Sequence, residues 1–168
     1  MESIEGRAWV FGDDIDTDLL APGHAMRMPI EELSKHCLEA VAPQFAASVQ
    51  RGDIVVAGSG FGIGSSREQA AQALLHLGVA AVLARSIARI FYRNALNLGL
   101  PALVFPDADK IRDGERLRID PARGLVHNVT TGTDYRCEPI PGFLMNMLRD
   151  GGLMPHLHKR LHGGAVRS

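Results

Sequence analysis

Residues 53–84 read DIVVAGSGFGIGSSREQAAQALLHLGVAAVLA, and the fold class follows from how this stretch divides. Asp53 to Gly58 is a short apolar run with the length and β-branched content of a buried strand, ended by glycine. From Ser65 to Leu77 the apolar residues Ala70, Ala73, Leu74 and Leu77 recur at helical spacing, and Gly78 stands where such a helix stops. Val79 to Ala84 is a second apolar run with strand character. The alternation predicts an α/β domain, a parallel or mixed sheet with helices packed on it.

The same rhythm extends outward on both sides. Upstream, RAWVFG (7–12) reads as a first strand, followed by a carboxylate-rich loop and a helical stretch near Ile30 to Glu39. Downstream, IARIFYRNALNLG (87–99) reads as a helix ending at Gly99, and PALVF (101–105) as another strand. Phe91, Tyr92, Met145 and Met147 fit packing positions on helices rather than a cofactor box. After Pro106 the pattern changes to short strands, ERLRID (115–120), GLVHNV (124–129) and DYRCEP (134–139), with turns at Pro121 to Gly124 and Thr131 to Gly132. A last helix is predicted over Phe143 to Arg149. The whole of 1–168 reads as one domain with its core in about residues 6–152, and 153–168 as a basic, flexible tail.

Composition narrows the function. A chain of 168 residues buries about two thirds of its unfolded surface, enough for a self-sufficient core. A formal net charge of −1 supplies no broad field for nucleic acid or an anionic membrane, so the expected partners are a small ligand or a protein. Cys37 and Cys137 are far apart and lack a C-x-x-C spacing, which argues against a disulfide framework and against a self-contained zinc or iron–sulfur site. The first residues carry neither the basic flank nor the apolar stretch of a signal peptide, and no run approaches membrane-spanning length, so the expected location is cytoplasmic.

The glycine-rich loop matches no nucleotide fingerprint. G-x-G-x-x-G fails because Ile63 and Ser65 stand where the third glycine belongs, the phosphate loop of nucleotide hydrolases fails for want of its second glycine and lysine, and G-x-S-x-G fails at Ala57. What remains is Gly60, Gly62 and Gly64, which let the backbone approach a ligand, ahead of a helix whose first turn offers N–H groups and a positive dipole end. Arg67 adds a guanidinium whose fork suits a carboxylate. Against this stands a structural explanation: Ser65 and Glu68 form S-x-x-E, a capping box that would start any helix. The residues alone leave both readings open.

Two further clusters stand out. Asp13, Asp14, Asp16 and Asp18 crowd the loop after the first strand, but the glycine and distal glutamate of a calcium loop are missing. They read as a solvated acidic turn, in which Asp18 is placed to orient an arginine and Arg27 to bind a carboxylate. His156, His158 and His162 lie in the tail, where two imidazoles four apart do not complete a metal site.

Taken together, G-D-D-I-D-T-D at 12–18, G-F-G-I-G-S-S-R-E-Q-A at 60–70 and S-I-A-R-I-F-Y-R-N-A-L-N-L-G-L at 86–100 resemble the swivel domain of the aconitase superfamily. The likeness runs from about Gly6 to about Gly152, and its order and intervals are most similar to the members that stand alone as a small subunit. It implies a swivelling β/β/α domain, aconitase C-terminal-like, that closes over a cleft in a large subunit carrying a four-iron four-sulfur cluster, with no cofactor held by this chain. It implies Ser65 as the base that takes a carbon-bound proton, Arg67 as the carboxylate ligand and Ser66 as a further donor. Asp18, Arg27, Gly62 and Gly64 complete the implied substrate contacts. The activity implied is a hydro-lyase interconverting 2-isopropylmalate and 3-isopropylmalate, as in leucine biosynthesis. Where relatives choose their substrate, this chain has His24, Ala25, Met26, Arg27 and Met28, a wall that suits a branched alkyl group better than a third carboxylate. Related dehydratases of homoaconitate, methylated citrates or dimethylmalate, and a non-catalytic anion-binding module, are the alternatives.

Overall fold

Four short apolar runs can lie side by side only if both faces of the resulting sheet are covered, and the computed structural model, which describes residues 3–167, shows that arrangement. Strand β1 (Ile4–Val10) pairs in parallel with β2 (Ile54–Ala57), β2 with β3 (Ala81–Ala84) and β3 with β4 (Ala102–Val104). On its other edge β1 pairs antiparallel with β5 (Arg116–Asp120), followed by β6 (Leu125–Asn128) and β7 (Thr133–Arg136). The result is one seven-stranded mixed sheet in the order β4-β3-β2-β1-β5-β6-β7.

Period-two alternation divides the core between the two faces. Trp9, Val55, Ala57, Val82 and Ala84 point to one side, against helices α4 (Glu68–His76) and α5 (Arg89–Leu98) and the short helices α1 (Thr17–Leu20), α2 (Ile30–Leu33) and α3 (Phe45–Ser48). Ala8, Ile54, Val56, Ala81 and Leu83 point to the other, where α6 (Gly142–Arg149) contributes Met145, Met147 and Leu148. Phe91 is buried and Tyr92 half-buried, as expected of packing residues. The antiparallel half has one wet face: Leu117 and Ile119 point inward while Arg116 and Arg118 both reach the carboxylate of Glu5 at 2.7 and 3.1 Å.

The structure departs from expectation in three places. β1 begins at Ile4 rather than Arg7, because Ile4 to Arg7 ladder with β5, a pairing that local hydropathy does not reveal. The helix expected near Ile30 to Glu39 is α2 followed by a 3-10 turn at Ser34–His36, after which Cys37 is extended and Leu38 takes φ +61°. Of the segment 153–168 expected as a flexible tail, Ser168 lies outside the described residues and Leu153–Arg167 is instead helix α7. Asp150 anchors it, accepting from His156 Nδ1 at 2.7 Å and Lys159 Nζ at 3.0 Å, and Gly152 packs so closely on the α5 terminus that a side chain there would strike the Asn97 carbonyl. Among the described residues no helix is long and apolar enough to cross a membrane.

Candidate active site

Parallel strands deliver their following loops to one edge of the sheet, and in open α/β sheets ligands bind at that carboxyl edge. The turn after β1, the glycine loop after β2 and the turn after β3 meet there. The β1–β2 ladder continues past the strands, with Phe11 donating to Val56 O at 2.8 Å and Gly58 to Gly12 O at 3.0 Å. The acidic turn and the glycine loop then interlock. Ser59 N donates to Asp13 Oδ1 at 2.8 Å, Asp14 N to Ser59 O at 2.8 Å, Gly62 N to Ile15 O at 2.7 Å and Thr17 N to Ile63 O at 2.9 Å. From the β3 side, Ser86 Oγ accepts from Gly60 N at 2.7 Å. The acidic turn is exposed, as expected, but the carboxylates of Asp13, Asp16 and Asp18 are each held by hydrogen bonds. Asp13 closes the glycine loop, and Asp16 caps α1 by accepting from Leu19 N at 2.8 Å.

Gly62 is required for packing and not for access to a ligand. It is buried, its N–H is spent on Ile15, its φ is +78°, and a Cβ there would overlap Cβ and Cγ of Phe91. Gly62→Ala is expected to lower unfolding free energy by about 2 to 4 kcal/mol, combining left-handed strain with overpacking, as read by denaturant titration. Gly64, at φ +111°, is exposed, and a side chain there would meet Thr17 Oγ1 at 2.9 Å.

Ser65 and Ser66 are exposed at the rim. The capping-box expectation fails here: α4 starts at Glu68, its N-cap is Arg67 in extended conformation, and no side chain caps it. The tight turn in which Arg67 N donates to Ser65 O at 2.8 Å puts Ser65 ahead of the helix instead of in its first turn. The N–H groups of Gly64, Ser65, Ser66, Glu68 and Gln69 take no backbone acceptor among the described residues, so this turn presents a run of free donors to solvent.

Arg67 crosses to the acidic turn. One of its terminal nitrogens, Nη1, donates to Asp18 Oδ1 and to the carbonyl of Ala21, both at 2.9 Å, and its side chain is only 23% exposed. Asp18 Oδ1 also accepts from Gly23 N at 3.0 Å. The Arg67 hydrogen bond first, and the Gly23 N–H second, hold the Asp18 carboxyl below the usual carboxylate range. A depressed acid stabilises the fold above its ordinary titration range and loses that contribution as pH falls through the depressed value. The stability difference between wild type and Asp18→Asn is therefore expected to be constant at neutral pH and to vanish progressively below about pH 4, as read by urea unfolding across pH. Arg27 is exposed and lies beyond the 3-10 turn at Gly23–Ala25, apart from this network. Of the two methionines, Met28 is exposed at 38% while Met26 is half-buried against the core, which leaves one to form a ligand wall.

Two concavities lie elsewhere, one of about 800 Å³ along β5 to β7 and one of about 560 Å³ between α5 and α6. The Ser65 site is open surface. Cys37 and Cys137 are free, buried and in separate core clusters on opposite faces of the sheet; burial pushes the Cys37 thiol strongly up, and burial with the Asp120 charge takes Cys137 to about 11. Such a pair does not fit an iron–sulfur cluster, which needs converging thiolates. The partnership of Asp13 with Ser59, and the anchoring of Arg67 to Ala21 O, were not foreseen; only the shared position of both loops after parallel strands pointed to them.

Comparison with known proteins places this geometry. The model of the aconitase C-terminal domain matches residues 22–108. The chain is 49% identical over 162 residues to 3-isopropylmalate dehydratase small subunit 1 of Thermotoga maritima, covering 95% of this chain and 96% of that one. It is 48% identical over 163 residues to the methanogen homoaconitase small subunit of Methanothermobacter thermautotrophicus, covering 96% and 94%. The crystal structure of 3-isopropylmalate dehydratase from Methanocaldococcus jannaschii superposes with a TM-score of 0.93 at 40% identity, covering 99% of each chain.

Proposed function

The chain belongs to the aconitase C-terminal domain family, and on that premise we propose that it is the cytoplasmic small subunit of a heteromeric hydro-lyase that interconverts 2-isopropylmalate and 3-isopropylmalate. The observation that carries the proposal is the exposed Ser65 among free N–H donors, two residues from a guanidinium already oriented by Asp18 and Ala21.

Serine at its ordinary acidity is too weak a base for a carbon-bound proton, so the site must stabilise its alkoxide. The N–H groups around residues 64–69 and the amino end of α4 supply positive potential at Ser65, and covering the site would strengthen every such interaction by excluding water. In the proposed reaction Ser65 Oγ takes the proton from the carbon next to the one bearing the hydroxyl, and returns it in the rehydration step. Arg67 has Nη1 committed to the protein, so its remaining N–H groups bind a substrate carboxylate, with Ser66 as an additional donor.

Departure of the hydroxyl lies outside this chain. Its two buried thiols do not suit a cluster, so the four-iron four-sulfur centre belongs in this proposal to a large partner subunit that covers the open face, and the small chain is active only with it. Met28 favours an alkyl group, and two of the three similar chains above are named for isopropylmalate. The test is to purify both subunits together anaerobically and follow alkene formation from 3-isopropylmalate, homocitrate, citrate and dimethylmalate. Turnover confined to, or much the fastest with, 3-isopropylmalate is expected. A large subunit that turns over equally well without this chain would sink the catalytic role, and a preference for homocitrate would replace the substrate.

A further inference from the structure

The residues between α1 and α3 contain a cluster that the proposed chemistry does not use. His24 sits in the 3-10 turn Gly23–Ala25, His36 ends the 3-10 turn Ser34–His36, and Glu39 follows three residues later. His24 Nε2 lies 2.9 Å from Glu39 Oε2, and His36 Nδ1 lies 2.8 Å from Glu39 Oε1. The two imidazoles meet edge to face with ring centroids 5.0 Å apart. One nitrogen from each ring and a carboxylate oxygen thus all lie within 4.8 Å of one another.

The backbone makes this convergence deliberate. Leu38 is fully buried with φ +61°, a conformation that a bulky side chain rarely adopts, and its N–H is tied to Leu19 O at 2.8 Å. That kink carries Glu39 back to the two rings. We propose that His24, His36 and Glu39 bind a single divalent transition-metal ion of the Zn²⁺ class.

Two imidazoles and a carboxylate are a donor set for Zn²⁺ and its borderline neighbours, whereas Mg²⁺ and Ca²⁺ call for oxygen ligands throughout. The carboxylate is already held ionised by His36 and His24, in that order of effect. Entry is open, since the His24 side chain is 58% exposed, and a fourth position is left for water. Binding would clamp residues 22–29 to the 34–39 turn. Gly23, next to His24, donates to the carboxylate that orients Arg67, so the ion would stiffen that loop; the binding itself does not depend on the catalytic reading.

The test uses the full chain stripped of metal by chelation, titrated with Zn²⁺ by calorimetry and with Co²⁺ by visible absorption. One ion per chain, an upward shift in Tm and Co²⁺ ligand-field bands are expected. His24→Ala and Glu39→Gln should each weaken binding by at least about 100-fold, the upper end of what loss of a supporting group costs a metal site. Their metal-free Tm values check that the variants fold. The control is α7, where the rings of His158 and His162 meet edge to face with centroids 4.1 Å apart. Absence of saturable binding by wild type, binding undiminished in His24→Ala, or binding lost only in the His158→Ala, His162→Ala double variant would each overturn the proposal.

Discussion

Ser65→Ala is expected to lower kcat of the assembled enzyme by at least about 10³-fold while leaving KM, Tm and association with the large subunit near their wild-type values. The separation of activity from stability follows from where Ser65 sits. Its side chain is exposed, and the structural bond in that turn uses its backbone carbonyl, which accepts from Arg67 N at 2.8 Å and is untouched by the substitution. Only the hydroxyl is lost. Ser66→Ala is the internal control, because Ser66 shares the exposure and the turn but is proposed only as a donor, so its loss should reduce kcat/KM by about tenfold. Rates are read from alkene absorbance over a range of 3-isopropylmalate concentrations up to saturation, and assembly from co-elution. Equal falls in both variants would mean that the turn matters as a whole, and retained turnover in Ser65→Ala would remove the base assignment. Exchange of the substrate carbon-bound proton with solvent deuterium provides a second reading: it should disappear in Ser65→Ala and persist in Ser66→Ala.

What could be read from the sequence was set by how local the determining physics is. The runs at 53–58 and 79–84 and the helix between them need only hydropathy and helix-end chemistry, and β2, α4 and β3 stand there within a few residues. Gly78 and Gly99 end their helices at φ +91° and +92° for the same local reason. The β1 start depended on β5, more than a hundred residues away, and so was missed. The acidic turn and the glycine loop read as separate motifs because their bond, Asp13 to Ser59, spans 46 positions. Ser65 and Glu68 satisfied the capping pattern, yet Arg67 is drawn across to Asp18 and Ala21, and that long-range tether moves the helix start beyond the serine. The metal-ligand cluster was hidden similarly. His24 was read as part of a ligand wall, while its partners lie 12 and 15 residues on, brought round by a left-handed leucine that no propensity favours.

Arg67 is where the next largest effect is expected, and its variants separate binding from framework. Arg67→Ala should lower kcat/KM by about 10³-fold, and Arg67→Lys by about 10²-fold, because lysine keeps the charge and loses the fork. In wild type one guanidinium nitrogen reaches both Asp18 Oδ1 and the Ala21 carbonyl, and the rest of the fork has no protein partner among the described residues. An ammonium is a single point and cannot serve the framework and the ligand at once. Asp18→Asn retains an acceptor for Gly23 and Arg67 but removes the charge, so its effect should be smaller, about tenfold and mainly in KM. The decisive comparison uses a substrate analogue in which the carboxylate proposed to meet Arg67 is a neutral amide. Wild type should reject the amide strongly and Arg67→Ala should treat acid and amide alike, since a guanidinium that binds the carboxylate loses its advantage when the charge is gone. If Arg67→Ala still discriminates as wild type does, the arginine is only a strut between the two loops. The carboxylate must then be held by another cation, and exposed Arg27 becomes the residue to vary.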